Sequence, residues 1–133
     1  MNRSLLLDTT AFSTIIRNEE RPCVRLRREL NNGATVLFSP VVYFEIRRGL
    51  LKRNAQRLLE KLDYLIAPYL WIDMTRGDWE TAAILWAETQ SRGITIGDDD
   101  LLIAAQANRR GATVVTNNID HFREVAHRWE SWS

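Results

Sequence analysis

The sequence predicts an α/β protein, a three-layer sandwich in which a parallel sheet of about four to five strands is flanked by helices. Three short apolar runs, Ser4–Leu7, Thr35–Phe38 and 112–116, lack alternation and are typical of strands covered on both faces. Segments with helical apolar spacing lie between them, and strands that alternate with helices form parallel sheets through right-handed crossovers. The 133 residues contain no repeat and no flexible linker, so residues 1–133 are predicted to form a single domain.

The first third of the chain alternates in this way. Strand Ser4–Leu7 stops at a polar cluster, and hydroxyl-bearing residues then favour a short helix to about residue 17. Pro22 begins a second predicted helix, which ends before Gly33. The second strand is Thr35–Phe38.

The next third is predicted to contain three helices and a strand. Ser39 and Pro40 are an N-cap and a first helical residue, and this helix is expected to run to about residue 51. Leucines at helical spacing predict a helix over 55–65, and residues 70–74 are a possible third strand. An apolar face that includes Trp79 and Trp86 predicts a helix that ends at Gly93.

The last third begins with three aspartates at the start of a strongly helical segment that closes before Gly111. The buried-type strand 112–116 follows, and it ends in Asn117 and Asn118. The tail 128–132 is too short to classify.

Composition excludes several classes of protein. The single cysteine, Cys23, excludes an internal disulfide and a thiolate metal cluster, and with only two histidines we expect no zinc site. Asp8 interrupts the N-terminal apolar run and no cleavage site follows, so we expect no signal peptide. No apolar stretch is long enough to cross a bilayer. We therefore expect a soluble, cytoplasmic protein that does not enter the membrane.

The formal net charge of +1 hides two segregated regions. Residues 46–61 contain six basic residues and one acid, whereas residues 73–100 contain seven acids and two arginines. A basic helical region that begins beside Glu45 could hold phosphates. Its candidate contacts are Arg47, Arg48, Lys52 and Arg53. The alternative is an ordinary solvated helix face.

Two isolated carboxylates stand out. Asp8 follows the first strand directly, where it could belong to a site or simply cap the next helix. Glu45 lies in an otherwise apolar helical turn, a setting in which an ionised carboxylate is rare unless it is paired or bound to a metal. The alternative for Glu45 is an ion pair with a nearby arginine.

The end of the chain offers more oxygen ligands. Asp98 is the better candidate for an N-cap, whereas Asp100 directly precedes an apolar run and is expected to point inwards. A divalent cation would offset the repulsion among three consecutive aspartates. After the last strand, Asn118 or Asp120 could join the same group, or the segment could be a polar turn.

These residues can converge because the carboxyl ends of parallel strands meet at one edge of a sheet. Oxygen ligands without cysteine or histidine suit Mg²⁺ or Mn²⁺. A metal ion held by carboxylates lowers the pKa of its own water and stabilises an in-line phosphoryl displacement, so no histidine base is needed.

Four segments, in order, resemble a PIN-domain ribonuclease, specifically the VapC-type toxin of a type II toxin–antitoxin system. They are Leu6-Leu7-Asp8-Thr9, Phe44-Glu45-Ile46-Arg47-Arg48-Gly49-Leu50, Asp100-Leu101-Leu102-Ile103-Ala104-Ala105 and Val114-Val115-Thr116-Asn117-Asn118-Ile119-Asp120-His121-Phe122. The resemblance implies metal-dependent hydrolysis of RNA, often tRNA or rRNA. It also implies a small cognate antitoxin whose C-terminal segment fills the active-site groove.

Carried over residue by residue, the resemblance makes Asp8, Glu45 and Asp100 an acidic triad that holds one or two Mg²⁺ or Mn²⁺ ions. Thr9 would be the hydroxyl residue near the metal, and Asp98 and Thr116 are accessory candidates. The fourth acidic position falls at Asn118, which carries no charge, so Asp120 is a candidate metal ligand in its place.

Other interpretations remain open from the sequence. The Trp79 and Trp86 face is predicted to lie in the core or in a homodimer interface, and His121 and His127 are expected to be structural or exposed. The chain could be a non-catalytic RNA- or protein-binding module, or another magnesium-dependent nuclease that acts on DNA. An aspartyl-phosphate enzyme fits poorly, because no lysine follows the last strand.

Overall fold

Five parallel strands form a single sheet in the order β3-β2-β1-β4-β5. The computed structural model describes residues 2–133. The strands are β1 Ser4–Leu7, β2 Thr35–Phe38, β3 Leu70–Trp71, β4 Thr113–Val115 and β5 Trp129–Glu130. The helices are α1 Thr9–Ile16, α2 Glu20–Asn31, α3 Pro40–Lys52, α4 Gln56–Ile66, α5 Arg76–Ser91, α6 Asp98–Arg109 and α7 Ile119–Phe122.

The helices lie in two layers because the strand order reverses direction once. The connections from β1 to β2 and from β2 to β3 run one way across the sheet, and those to β4 and β5 run the other way. Right-handed crossovers therefore place α1–α4 on one face and α5–α7 on the other. The contacts agree, since α1 packs on α2 and α3, α3 packs on α4, and α6 packs on α5 and α7. The predicted three-layer α/β sandwich is confirmed.

The core lies along β1, the central strand. Leu5 and Leu6 are fully buried, and Leu6 pairs with Leu37 on one side and Val114 on the other. Such a strand cannot alternate apolar and polar residues, because helices cover both of its faces. β1 therefore has the continuous leucine run seen in the sequence.

Most predicted elements are present, and the differences lie at the edges of the sheet. The third strand is limited to Leu70–Trp71 rather than residues 70–74. The tail forms a strand, β5, whose Glu130 pairs with Arg3 and accepts a hydrogen bond from Trp132. These contacts come from distant parts of the chain, so the tail sequence alone does not reveal the strand.

The structure corrects two specific predictions. Of the two places predicted for Trp79 and Trp86, the core is wrong, because these side chains are 55% and 49% exposed, whereas the homodimer interface stays a prediction. Asp98 does not cap α6, because the N-cap is Gly97 and no side chain accepts a capping hydrogen bond there. Across residues 2–133, no helix has the length and apolar character needed to cross a bilayer.

A buried ion pair joins α5 to α6. The Asp78 side chain is fully buried at the start of α5, and Arg109 and Arg110 at the end of α6 donate to it at 2.9 Å. Burial opposes its ionisation, but hydrogen bonds from Arg110, the Thr75 backbone and Arg109 hold the pKa of Asp78 well below its usual range. Asp78 therefore fixes α5 against α6.

We predict that Asp78→Asn lowers the free energy of unfolding by about 2 kcal/mol, because it leaves two arginines without their shared anion. Urea unfolding at neutral pH measures this change. Asp63→Asn, on the exposed face of α4, is the matched control and should change stability little. Equal effects of the two substitutions would contradict the assigned role of Asp78.

Candidate metal and catalytic site

Asp8 lies at the carboxyl end of β1, where its backbone N–H donates to the Val115 carbonyl at 3.0 Å. Its side chain is 2% exposed. One carboxylate oxygen accepts hydrogen bonds from the Ala11 N–H at 2.8 Å and the Thr10 hydroxyl at 2.7 Å, and the other accepts from the Thr116 hydroxyl at 2.6 Å. Asp8 is thus the N-cap of α1 as well as a carboxylate at the sheet edge.

The charge of Asp8 is costly in this position. Burial raises the pKa of Asp8 above its ordinary value, and the hydrogen bonds from Thr116, Ala11 and Thr10 offset only part of that effect. A nearby cation would stabilise the ionised form.

Glu45 reaches the same edge from α3. Its side chain is 13% exposed, and it accepts a hydrogen bond from the Thr9 hydroxyl at 2.6 Å. Arg48 lies 3.6 Å from its other oxygen, so the predicted alternative of an arginine ion pair is also present. Burial raises the pKa of Glu45 to about 7; the hydrogen bond from Thr9 and the charge of Arg48 oppose the rise, and the neighbouring Asp99 adds to it.

Asp99 is a member of the group that the sequence did not single out. Its side chain lies against Glu45, whereas the side chain of Asp100, the next residue in α6, contacts His121 in α7. Successive residues of a helix point about 100° apart, so one helical turn supplies carboxylates in two directions. The sequence signal that could have identified Asp99 is the run of three consecutive aspartates at the start of a predicted helix.

Asp100 is held by a histidine. Its Oδ2 atom lies 2.9 Å from Nδ1 of His121, and its side chain is 14% exposed. Burial raises the pKa of Asp100; His121 opposes this rise, and the charges of Asp99 and Asp8 reinforce it. The sequence interpretation of His121 as merely structural or exposed missed this contact, because the contact is made only when β4 and α7 fold back over α6.

Asn118 joins the group through the same histidine. Its side-chain nitrogen lies 2.7 Å from Nδ1 of His121, and its backbone N–H donates to the Thr116 hydroxyl at 2.7 Å. Asp120 does not join the group. Its side chain is 85% exposed and pairs with Arg123 at 2.9 Å, because the single turn of α7 directs it to solvent.

The donor set fits a hydrated divalent cation. Among the residues from 2 to 133, no three carboxylate, imidazole or thiol groups lie close enough together to enclose a metal directly. Mg²⁺ typically keeps several waters and needs only one or two protein carboxylates, so direct enclosure is not required. Asp8, Glu45 and Asp100 have raised pKa values, which is the electrostatic situation that a divalent cation relieves.

Two depressions meet at Glu45, one on each side of α3. The apolar groove lies between α3, α5 and α6 and consists of two adjoining cavities of about 560 and 430 Å³. Trp79, Asp98 and Leu102 line both of these cavities, so the accessory candidate Asp98 lies in the groove. The arginine cleft, of about 260 Å³, lies between α1, α3 and α4 and is also lined by Thr9, Gly49, Arg17 and Arg53.

The predicted RNA-binding residues are all exposed near the end of α3. Arg48 stacks over Phe44 at 5.1 Å and Arg47 over Tyr43 at 5.9 Å, so both guanidinium groups are held on aromatic rings. Arg53 is the C-cap of α3, and Lys52 is its last residue.

A sequence profile of the PIN domain matches residues 5–128. The chain belongs to the PIN-domain family. Ribonuclease VapC2 of Rickettsia felis is 32% identical over 77% of this chain and 78% of that protein. The tRNA(fMet)-specific endonuclease VapC of Shigella flexneri is 30% identical over 96% of this chain and 97% of its own length.

Solved PIN-domain structures agree with the fold. The structure of VapBC2 from Rickettsia felis bound to a promoter DNA fragment contains a chain that matches with a TM-score of 0.89. That chain is 28% identical, and the match covers 98% of this protein and 99% of that chain. The DNA-bound VapBC of Salmonella typhimurium matches at 29% identity with a TM-score of 0.85, over the full length of both chains. The predicted resemblance to VapC-type PIN domains is confirmed.

The shifted pKa values predict the pH dependence of metal-free stability. Because folding raises the pKa of Glu45 from 4.5 to about 7, the folded state favours its protonated form, and stability falls as the pH rises through that range. Asp8 and Asp100 shift in the same direction. Thermal unfolding in EDTA between pH 4.5 and 8 should show less of this loss in Glu45→Gln than in wild type. Parallel curves for the two proteins would contradict the assigned pKa of Glu45.

Proposed function

We propose that this PIN-domain protein is a metal-dependent endoribonuclease, the toxin of a toxin–antitoxin pair, and that it inhibits translation by cutting tRNA or rRNA in the cytoplasm. The observation that carries the proposal is the convergence of buried carboxylates with raised pKa values at the carboxyl edge of β1 and β4. The VapC ribonucleases among the relatives support the choice of RNA as substrate.

In this proposal Asp8, Asp100 and Glu45 hold Mg²⁺ or Mn²⁺, either directly or through waters that the ion keeps. When bound, the ion supplies a water of lowered pKa and offsets negative charge that develops on the phosphate. Asp8 is held in position by three hydrogen bonds, Asp100 by His121 and Glu45 by Thr9. Glu45 is partly protonated near neutral pH without a cation, so binding of the cation releases a proton from it.

Asn118 contributes a neutral side chain in this proposal. Its side-chain amide lies 2.7 Å from Nδ1 of His121, and an amide group offers a neutral oxygen that can accept from a water or ligate an ion. Asp99, next to Glu45, adds a further negative charge near the ion.

The apolar groove is the proposed contact for a cognate antitoxin. Phe44 and Trp79 are 60% and 55% exposed along it, and large exposed aromatic side chains next to each other mark interaction surfaces. The solved relatives are VapBC toxin–antitoxin complexes. An apolar antitoxin segment in this groove would end beside Glu45 and block the site. A homodimer is proposed at the middle of α5, where Ile84 and Trp86 are 58% and 49% exposed.

Substitution of single carboxylates tests the activity. Asp8→Asn and Asp100→Asn should each lower cleavage of unfractionated tRNA and rRNA by about a hundredfold or more, because each removes a charge that holds the ion. Asp120→Asn is the matched control, since Asp120 belongs to the same motif but lies outside the group and should cut normally. Cleavage is measured on antitoxin-free protein with Mg²⁺, with Mn²⁺ and with EDTA.

The same experiment separates the alternatives. Cleavage of single- or double-stranded DNA in preference to RNA would favour a DNA nuclease. RNA binding by wild type with no cleavage in either metal would favour a non-catalytic module. Full activity of both aspartate variants would overturn the proposed ligand set.

The basic end of α3 gives a second prediction. Neutralising Arg47 and Arg48 together should weaken RNA binding and reduce the slope of log affinity against log salt by about 2, the value for two lost phosphate contacts. Arg27→Gln with Arg28→Gln, on α2, removes the same charge far from the site and should preserve the slope. Unchanged binding of the first variant at low salt would contradict phosphate contact at these residues.

A further inference from the structure

Gly49 has no structural reason to be a glycine. It lies within the 13-residue helix α3, where glycine costs about 1 kcal/mol relative to alanine. Its backbone is not in the left-handed region, unlike that of Gly33, Gly93 and Gly111. A Cβ atom built at Gly49 would meet no atom within 4 Å. Neither conformation nor packing within the chain therefore requires the missing side chain.

The space beside Gly49 is the arginine cleft, which begins at the candidate active site. Glu45, Gly49 and Arg53 are spaced by four residues and so lie along one face of α3. At 1.5 Å per residue, Arg53 lies about 12 Å along the helix from Glu45, with Gly49 halfway between them. A chain that passes from Glu45 to Arg53 must cross Gly49.

The chemistry of the cleft suits a polyanion. Within residues 2–133, Arg53 takes part in none of the ion pairs. Arg17 pairs only with Glu19, and both of those side chains are about half exposed, so the pair is weak and easily exchanged. Between the arginines the cleft is lined by Ile16 and Leu58, which offer apolar contacts.

We propose that the arginine cleft holds the RNA strand on one side of the scissile phosphate. The strand leaves the carboxylates at Glu45, its backbone lies close against the bare turn at Gly49, and its next phosphates reach Arg53 and Arg17. The proposal rests on the ribonuclease function proposed above.

Gly49 substitutions test the proposal because stability and binding should change in opposite directions. Gly49→Ala and Gly49→Gln remove a helical glycine and meet open space, so the midpoint of thermal unfolding should stay the same or rise. Their affinity for a labelled single-stranded RNA of mixed sequence should fall, by about tenfold for the longer glutamine side chain. Binding is measured in an Asp100→Asn background, so that the RNA is not cut.

Kinetics and salt dependence provide the second readout. With RNA cut by wild type, Gly49→Gln should raise KM more than it lowers kcat, because it removes binding away from the reacting atoms. Arg53→Gln should lower the salt slope of RNA binding by about 1, whereas Arg28→Gln on α2 should leave it unchanged. An RNA shortened to end at the scissile phosphate on one side should be bound equally by wild type and Gly49→Gln.

The outcomes distinguish this proposal from the function it rests on. Metal-dependent RNA cleavage by wild type with unchanged RNA affinity in Gly49→Gln would overturn the cleft and leave the ribonuclease standing. A lower unfolding midpoint in Gly49→Ala would assign the glycine a structural role instead. A changed oligomeric state of Gly49→Gln in size-exclusion chromatography, with normal RNA affinity, would make the cleft an interface between copies. No cleavage and no RNA binding by wild type would overturn both proposals.

Discussion

The buried carboxylate of Asp8 organises the carboxyl edge of the sheet. A charge removed from water must be matched by hydrogen bonds, and Asp8 obtains them from Ala11, Thr10 and Thr116. Two of these partners also bind the backbone of the segment after β4. The Thr10 hydroxyl accepts a hydrogen bond from the Asn117 N–H, and the Thr116 hydroxyl accepts one from the Asn118 N–H. One side chain thus ties the start of α1 to the segment after β4.

Asp8 can therefore cap α1 and also present its carboxylate at the edge of the sheet, so the two roles do not compete. The hydrogen bond from Ala11 fixes α1 on β1, while the remaining hydrogen bonds hold the carboxylate at the edge where Asp100 and Glu45 arrive from other elements. The same constraint raises the cost of ionisation at all three carboxylates. A cation bound at this edge would lower that cost.

The sequence predicted the sheet and three of its carboxylates because those depend on local patterns. Continuous leucines before Asp8 and a lone Glu45 among apolar residues are visible without a structure. The contacts of Asp99 and His121 were not predictable in this way, because they depend on how α6 is rotated and on where α7 folds over it. Asp120 illustrates the same limit, since it lies two residues after Asn118 and, at about 100° per residue, points away from it into solvent.

The buried Gln106 gives α6 a fixed position along its own axis. Its side-chain oxygen accepts from the Ser39 hydroxyl, which also caps α3, and its nitrogen donates to the Ile72 carbonyl at 3.1 Å. Asp100 lies six residues earlier on the same rigid helix, about 9 Å away. A sliding movement of α6 would break both hydrogen bonds in the protein interior, so the reach of the Asp100 carboxylate is set by an amide that never meets substrate or solvent.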